Sequence, residues 1–341
     1  VTKTFIGYGQ FFGDLSASSR YPDWASRRKA VAKRISVINF KGGVGKTTLS
    51  FQLATGLVRY HSPARVLVVD MDHQSSLSIV CLGPQAWNAA VSGNRTVNEV
   101  FKPFIGQSQH MPGLEIISST QLSPRNYSNL SVVPASLQLD DIEIELTASH
   151  HGNAIQSEWN KRTLMCRWLE ESGVDEEFDY IIFDCPPATK IVSQNAIAAS
   201  HGYIIPVIPE AVMERGAPHL FEMVRTGIDT RLKALASLGT PRPMHVPDTA
   251  LVGVAITRIK THGPAASGFT DDHTQHLASL QRYWRNHLVR PYIEDGTGVS
   301  QTLAEGVPVY DRGSSQNVGG RGFDRMYEQL TAALKTRIDA L

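Results

Sequence analysis

The sequence predicts an α/β fold, a doubly wound and mostly parallel sheet flanked by helices. Three observations predict it. Short apolar, β-branched runs recur along the chain, separated by stretches with apolar residues at helical spacing, as a parallel sheet covered by helices requires. The first of these runs turns into its helix through a glycine-rich loop. Two later runs end in aspartates, and the carboxyl ends of parallel strands are where open α/β sheets collect their ligands.

The stretch ISVINFKGGVGKTTLSFQLATGL, residues 35–57, carries the first strand, expected over Ile35 to Phe40, and the first helix. Gly42, Gly43 and Gly45 let the backbone fold closely around an anion, and the helix beginning near Lys46 aims its positive end at the same spot. Lys46 would reach the β- and γ-phosphates of a nucleotide, and the Thr47 hydroxyl would bind Mg²⁺. The common pattern G-x-x-x-x-G-K-[ST] is broken at its first glycine, where Phe40 stands, and an additional lysine, Lys41, precedes Gly42.

KGGVGKTT, that is Lys41, Gly42, Gly43, Val44, Gly45, Lys46, Thr47 and Thr48, resembles the deviant phosphate loop of the ParA/MinD family of ATPases. The resemblance implies ATP and Mg²⁺ as ligands and a homodimer that forms on ATP binding. In that dimer Lys41 would cross the interface to the partner subunit's nucleotide.

Val66 to Val69 form a second buried strand, followed by Asp70 and Asp72. The stretch VDMDHQSS is similar to the family's second motif, which makes Asp72 the residue that positions the attacking water and places Gln74 in a segment that responds to nucleotide state. His73 stands where the family commonly has proline, and the alternative for both aspartates is capping of the next helix. Phe178 to Phe183 form another buried strand, and Asp184 at its end matches a carboxylate that holds Mg²⁺ through a coordinated water. Pro186 and Pro187 follow, as in the family's D-x-P-P segment, where prolines set a rigid turn beside the γ-phosphate. Cys185 reads as a small buried filler.

Composition narrows the remaining possibilities. With 341 residues, 42% of them hydrophobic, the chain can bury a full core, while a net charge of +1 gives no overall electrostatic case for nucleic acid. Any DNA surface must be a local patch. Cys81, Cys166 and Cys185 are far apart and form no C-x-x-C pair, which fits a reduced, cytoplasmic protein and excludes a cluster or cysteine zinc site. No run of about 18 apolar residues appears, so no transmembrane helix is expected, and a membrane is not among the expected partners.

Residues 1–34 read as an N-terminal extension, aromatic first and basic at Arg27, Arg28, Lys29, Lys33 and Arg34, before an ATPase domain over 35–341. Both LEIISS and LSVVPAS compete for one family strand. The second is preferred because an acidic helix follows it, and about 106–130 is treated as an insertion or added hairpin. His150 and His151 form a surface turn. GYIIPVI and ALVGVAI are further strands, and SLGTPRPMHVPDTA and THGPAASGFTDD are loops. HTQHLASLQRYWRNHLVRPYI is a helix running into a strand. Arg258, Lys260, Arg282 and Arg285 are candidates for DNA phosphate contacts, in the region where the family binds DNA without sequence preference.

IEDGTGVSQTLAEGVPVYD follows the family segment that closes over the adenine, with Ser300, Gly306, Pro308 and Asp311 in place. It departs at Glu294, where many members have proline, and at Gly298, where many have a basic residue. The resemblance implies slow ATP hydrolysis stimulated by a ParB-like partner, a nucleoid-associated location, and segregation of a plasmid, a chromosome region or another cargo. The alternative is a MinD-like membrane-associated positioning ATPase. Against it, the last helix, FDRMYEQLTAALKTRIDAL, balances its acidic and basic residues, and its apolar face is expected to pack on the sheet.

Overall fold

In the computed structural model the described residues are 31–61, 63–187, 190–239, 245, 248–262 and 268–341. The expected N-terminal extension lies outside them except for its last four residues, and both expected loops at 237–250 and 261–272 fall partly outside.

Among the described residues eight strands form one sheet: β1 (Lys33–Val37), β2 (Val66–Asp70), β3 (Ser118–Ser119), β4 (Leu130–Val133), β5 (Tyr180–Asp184), β6 (Gly202–Val207), β7 (Ala250–Ile256) and β8 (Leu288–Val289). Their order is β3-β4-β2-β5-β1-β6-β7-β8, and every neighbouring pair is parallel except β3 with β4. Alternate residues of a strand face opposite sides, and here both sides are buried. Val66 and Val68 pack with the helices Lys46–Tyr60 and Phe323–Asp339. Leu67 and Val69 pack into the core shared with the helices Leu139–Ala148, Leu164–Ser172 and Ile191–Ala198. The sheet is therefore doubly wound, as expected.

The first strand starts two residues earlier than the expected Ile35 and ends at Val37, before Phe40. Charged residues can open it because Arg34 is paired: its guanidinium lies 2.8 Å from Asp175, and its backbone N–H donates to His201 Nδ1 at 3.1 Å. Of the two competing segments, LSVV forms the parallel strand beside β2. LEIISS contributes only the two-residue antiparallel β3, after a single 3₁₀ turn over Leu114–Ile116. The last helix buries Phe323, Tyr327, Leu330, Leu334 and Ile338. Among the described residues, no helix is long and apolar enough to cross a membrane.

The pairing register positions the site. β5 lies between β1 and β2, with Asp184 opposite both Val37 and Asp70. The loop after β1, the Asp72 loop after β2 and the two prolines after β5 consequently leave the sheet side by side.

Candidate functional site

The glycine-rich loop is bent by its glycines. Gly43 and Gly45 have φ of 73° and 80°, left-handed values that strain any side chain, while no atom within 3.8 Å crowds either position. Conformation, not space, demands glycine at both. The helix Lys46–Tyr60 begins at Gly45 with no side-chain cap and no acidic residue in its first turn. Its leading N–H groups and positive end are thus left to an anion.

Lys46 is buried, and its ammonium donates to the carbonyl of Lys41 at 3.1 Å. Burial lowers its pKa, against the opposing pull of Asp184 and Asp72. Asp184 is fully buried and accepts from Ser50 Oγ at 2.8 Å, with the Thr47 hydroxyl beside it. Burial pushes its carboxyl up, and the two hydroxyls and Lys46 pull it back. The structure brings Thr47, Lys46 and Asp184 together. Oxygen donors beside an ammonium suit a hard cation with a phosphate chain.

The two aspartates after β2 have different surroundings. Asp70 is buried and accepts from Ser78 Oγ at 2.6 Å, from the Ser78 N–H at 2.9 Å and from the Asp72 N–H at 3.1 Å. It caps the helix Ser76–Ser92, and Ser78 Oγ in turn accepts from the Ala135 N–H at 2.8 Å. Asp72 stands at the rim, half-exposed, with one carboxylate oxygen accepting from the Gln74 N–H at 3.0 Å. The His73 imidazole is 3.5 Å from the same carboxylate, and Gln74 is exposed.

Lys41 lies at the mouth of the loop, with its ammonium ion-paired to Glu210 after β6. Its N–H donates to Asn39 Oδ1 at 2.9 Å, and Asn39 Nδ2 donates to the Pro206 carbonyl at 2.6 Å. Pro186 is buried and Pro187 half-buried. The helix that follows them is capped by a residue sequence reasoning missed. Glu143, itself buried, accepts from the N–H groups of Ile191 at 2.7 Å and Val192 at 2.9 Å.

The four basic candidates for DNA contacts do not form one patch. Arg258 is turned onto the glycine-rich loop: Nη1 donates to the Gly43 carbonyl at 2.7 Å, and Nε lies 3.0 Å from Asp295. Lys260 is exposed beside the start of the helix Asp271–Trp284, its N–H donating to His273 Nδ1. Arg282 is exposed near the far end of that helix, about 14 Å along its axis from His273, and Arg285 is exposed just beyond the helix.

The segment 293–300 borders the loop from the other side. Glu294 is paired with Arg321 at 3.0 Å. Gly298 is small for a steric reason, since an added Cβ would sit 2.2 Å from the Asn317 carbonyl oxygen. Cys185 is buried, and burial pushes its thiol up, away from reactivity. The His151 ring packs edge-on against Phe104, centroids 5.0 Å apart.

Residues 32–236, from β1 to the helix after β6, match a family described as an AAA domain (AAA_31). The sporulation initiation inhibitor protein Soj of Bacillus subtilis is 27% identical over 283 residues, covering 82% of this chain and 90% of Soj. The chromosome partitioning protein ParA of Myxococcus xanthus is 29% identical over 236 residues, 68% of this chain and 69% of that one. Among solved structures, an ATP complex of Cyanothece McdA has the same fold, with a TM-score of 0.63 at 20% identity over 91% of this chain and 97% of McdA.

Proposed function

The chain belongs to the AAA_31 family of AAA domains and is an ATPase of the ParA/MinD type, and from that premise we propose that it is a partition ATPase working as an ATP-dependent dimer on DNA. The phosphates lie in the loop Lys41–Thr48, held by backbone N–H groups and Lys46. Thr47, and Asp184 through a water, hold Mg²⁺, which neutralises phosphate charge when bound. Asp72 orients the attacking water, and Gln74, Pro186 and Pro187 carry the nucleotide state to the surface. Lys41 leaves Glu210 and reaches the partner subunit's nucleotide. The dimer binds duplex DNA without sequence preference, through Lys260, Arg282 and Arg285 among others. Hydrolysis, stimulated by a ParB-like partner, releases the DNA and moves a plasmid, chromosome region or other cargo over the nucleoid.

The observation that carries this reading is that the buried Asp184, hydrogen-bonded to Ser50 Oγ at 2.8 Å, shares its site with the buried Lys46, whose ammonium donates to the Lys41 carbonyl of the loop at 3.1 Å. Positioning and charge stabilisation are what phosphoryl transfer asks of a protein. The test is binding to random-sequence duplex DNA with ATP, ADP or no nucleotide, at stated salt, beside Lys41→Ala. Binding that needs ATP, weakens with salt and vanishes in Lys41→Ala supports the proposal. Indifference to DNA in every state, with ATP still bound, overturns it.

A further inference from the structure

Two consecutive residues after β7 grip consecutive carbonyls of the glycine-rich loop. Thr257 Oγ1 donates to the Val44 carbonyl at 2.7 Å, and Arg258 Nη1 donates to the Gly43 carbonyl at 2.7 Å. In a trans peptide the C=O and the following N–H point in opposite directions across one rigid plane. Fixing the Gly43 oxygen therefore fixes the direction of the Val44 N–H, and fixing the Val44 oxygen does the same for the Gly45 N–H. Both amides are turned away from β7, as a phosphate cradle needs.

Arg258 does more than Thr257, because its Nε also lies 3.0 Å from Asp295. Asp295 is held in turn by its own N–H, which donates to the Ile259 carbonyl at 2.9 Å. Thr48, Thr257, Arg258, Asp295 and Ser300 line a cavity of about 30 Å³ between loop and segment, room for about two waters and not for a purine. One guanidinium thus spans the two walls of this cavity, the loop on one side and the Asp295 segment on the other. Arg258 also has φ of 53°, a left-handed value uncommon for a non-glycine residue, so the backbone turns sharply at the point where the side chain makes both contacts.

We infer that Arg258 is a positioning residue for the nucleotide, joining the phosphate loop to the Asp295 segment so that phosphate and base contacts form in one register, and that it is not a DNA contact. The inference rests on the nucleotide-binding reading above. A fork of donors is required, since a lysine supplies a single point charge and cannot serve Gly43 and Asp295 together with the same geometry.

The test compares wild type, Arg258→Ala, Arg258→Lys, Asp295→Asn and the double variant Arg258→Ala with Asp295→Asn. The readouts are Kd for Mg-ATP, Mg-ADP and adenosine, DNA affinity at saturating ATP, and the unfolding midpoint without nucleotide. Arg258→Ala is expected to weaken ATP and ADP by roughly tenfold, as for a lost hydrogen bond between charged groups, and adenosine by less. Arg258→Lys should not restore the affinity. Asp295→Asn should show a smaller loss, and the double variant should be no weaker than Arg258→Ala, since both act through one link. DNA affinity and the unfolding midpoint should stay unchanged. ATP affinity equal to wild type in Arg258→Ala, or a loss confined to DNA, overturns the inference. If Arg258→Ala does not fold, the lysine and Asp295→Asn variants decide the matter by the same two criteria. Wild type that binds no ATP overturns the nucleotide reading itself, a failure distinct from variants that match a competent wild type.

Discussion

Lys41 is ion-paired with Glu210 of its own chain. The hydrogen bond from Lys41 holds the Glu210 carboxyl below its ordinary range. Under the proposed function Lys41 reaches another subunit, and it would therefore start from an occupied position. Its side chain and that of Glu210 are 34% and 32% exposed, which places the pair among the weaker class of ion pairs. Glu210→Gln should lower the protein concentration needed for ATP-dependent dimerisation by about two- to fivefold. Sedimentation equilibrium with a non-hydrolysable ATP analogue measures it. Weaker dimerisation in the variant would mean that Glu210 serves the interface and does not hold Lys41 back.

Asp72→Asn should separate chemistry from binding. Asparagine keeps an acceptor for the Gln74 N–H, so the loop holds its turn, but it loses the charge proposed to orient water. The expected result is a fall in kcat of roughly 10²-fold or more, typical of a lost proton-handling group, with ATP affinity little changed. Single-turnover hydrolysis and ATP titration check the two halves. A kcat within a factor of about three would remove Asp72 from the water-positioning role.

Glu143→Ala should destabilise the chain by about 1–3 kcal/mol, because it leaves two helix N–H groups without their acceptor. Glu143→Gln keeps one carbonyl acceptor and should cost about half as much. Chemical denaturation of both variants measures the difference, and two equal losses would show that side-chain packing, not capping, dominates.

His201 gives a pH dependence. Burial, with Arg34 and Lys33 nearby, holds its pKa down at about 4, below its ordinary 6.5. Between these values the unfolded chain binds a proton that the folded chain refuses, so stability is present above 6.5 and falls as pH drops toward 4. His201→Asn, which retains an acceptor for the Arg34 N–H, should flatten unfolding stability across that window. An unaltered slope would place the acid sensitivity elsewhere.

The elements legible in the sequence were those whose chemistry is local. Gly43, Gly45, Lys46 and Thr47 fall within five residues of one another, and buried runs such as VLVVD announce both a strand and the place where it ends. What escaped depends on chain segments meeting from far away. Ser50 finds Asp184 from 134 residues off, and Arg258 finds Gly43 from 215. No spacing rule encodes such pairs. Arg258 was therefore grouped with other basic residues by region. Glu143 did leave a signal: it shares the inward face of its helix with Leu139, Ile142 and Leu146, where an acid needs a partner. The early start of β1 was hidden for the complementary reason, since the basic Arg34 reads as surface until Asp175 is known to face it.

The anchoring of Asp70 bears on how the Asp72 loop can move. Asp70 and Ser78 grip each other, and Ser78 is tied on to Ala135, so residues 71–77 behave as a short bridge resting on two fixed piers. Such a span has no slack to take up a push at its centre. Gln74 is the exposed crown of the arch, and it shares a hydrogen bond with the Asp72 carboxylate. A body pressing on the crown would tilt that carboxylate directly. On the proposed function, touch on the outside would thereby be translated into aim on the inside.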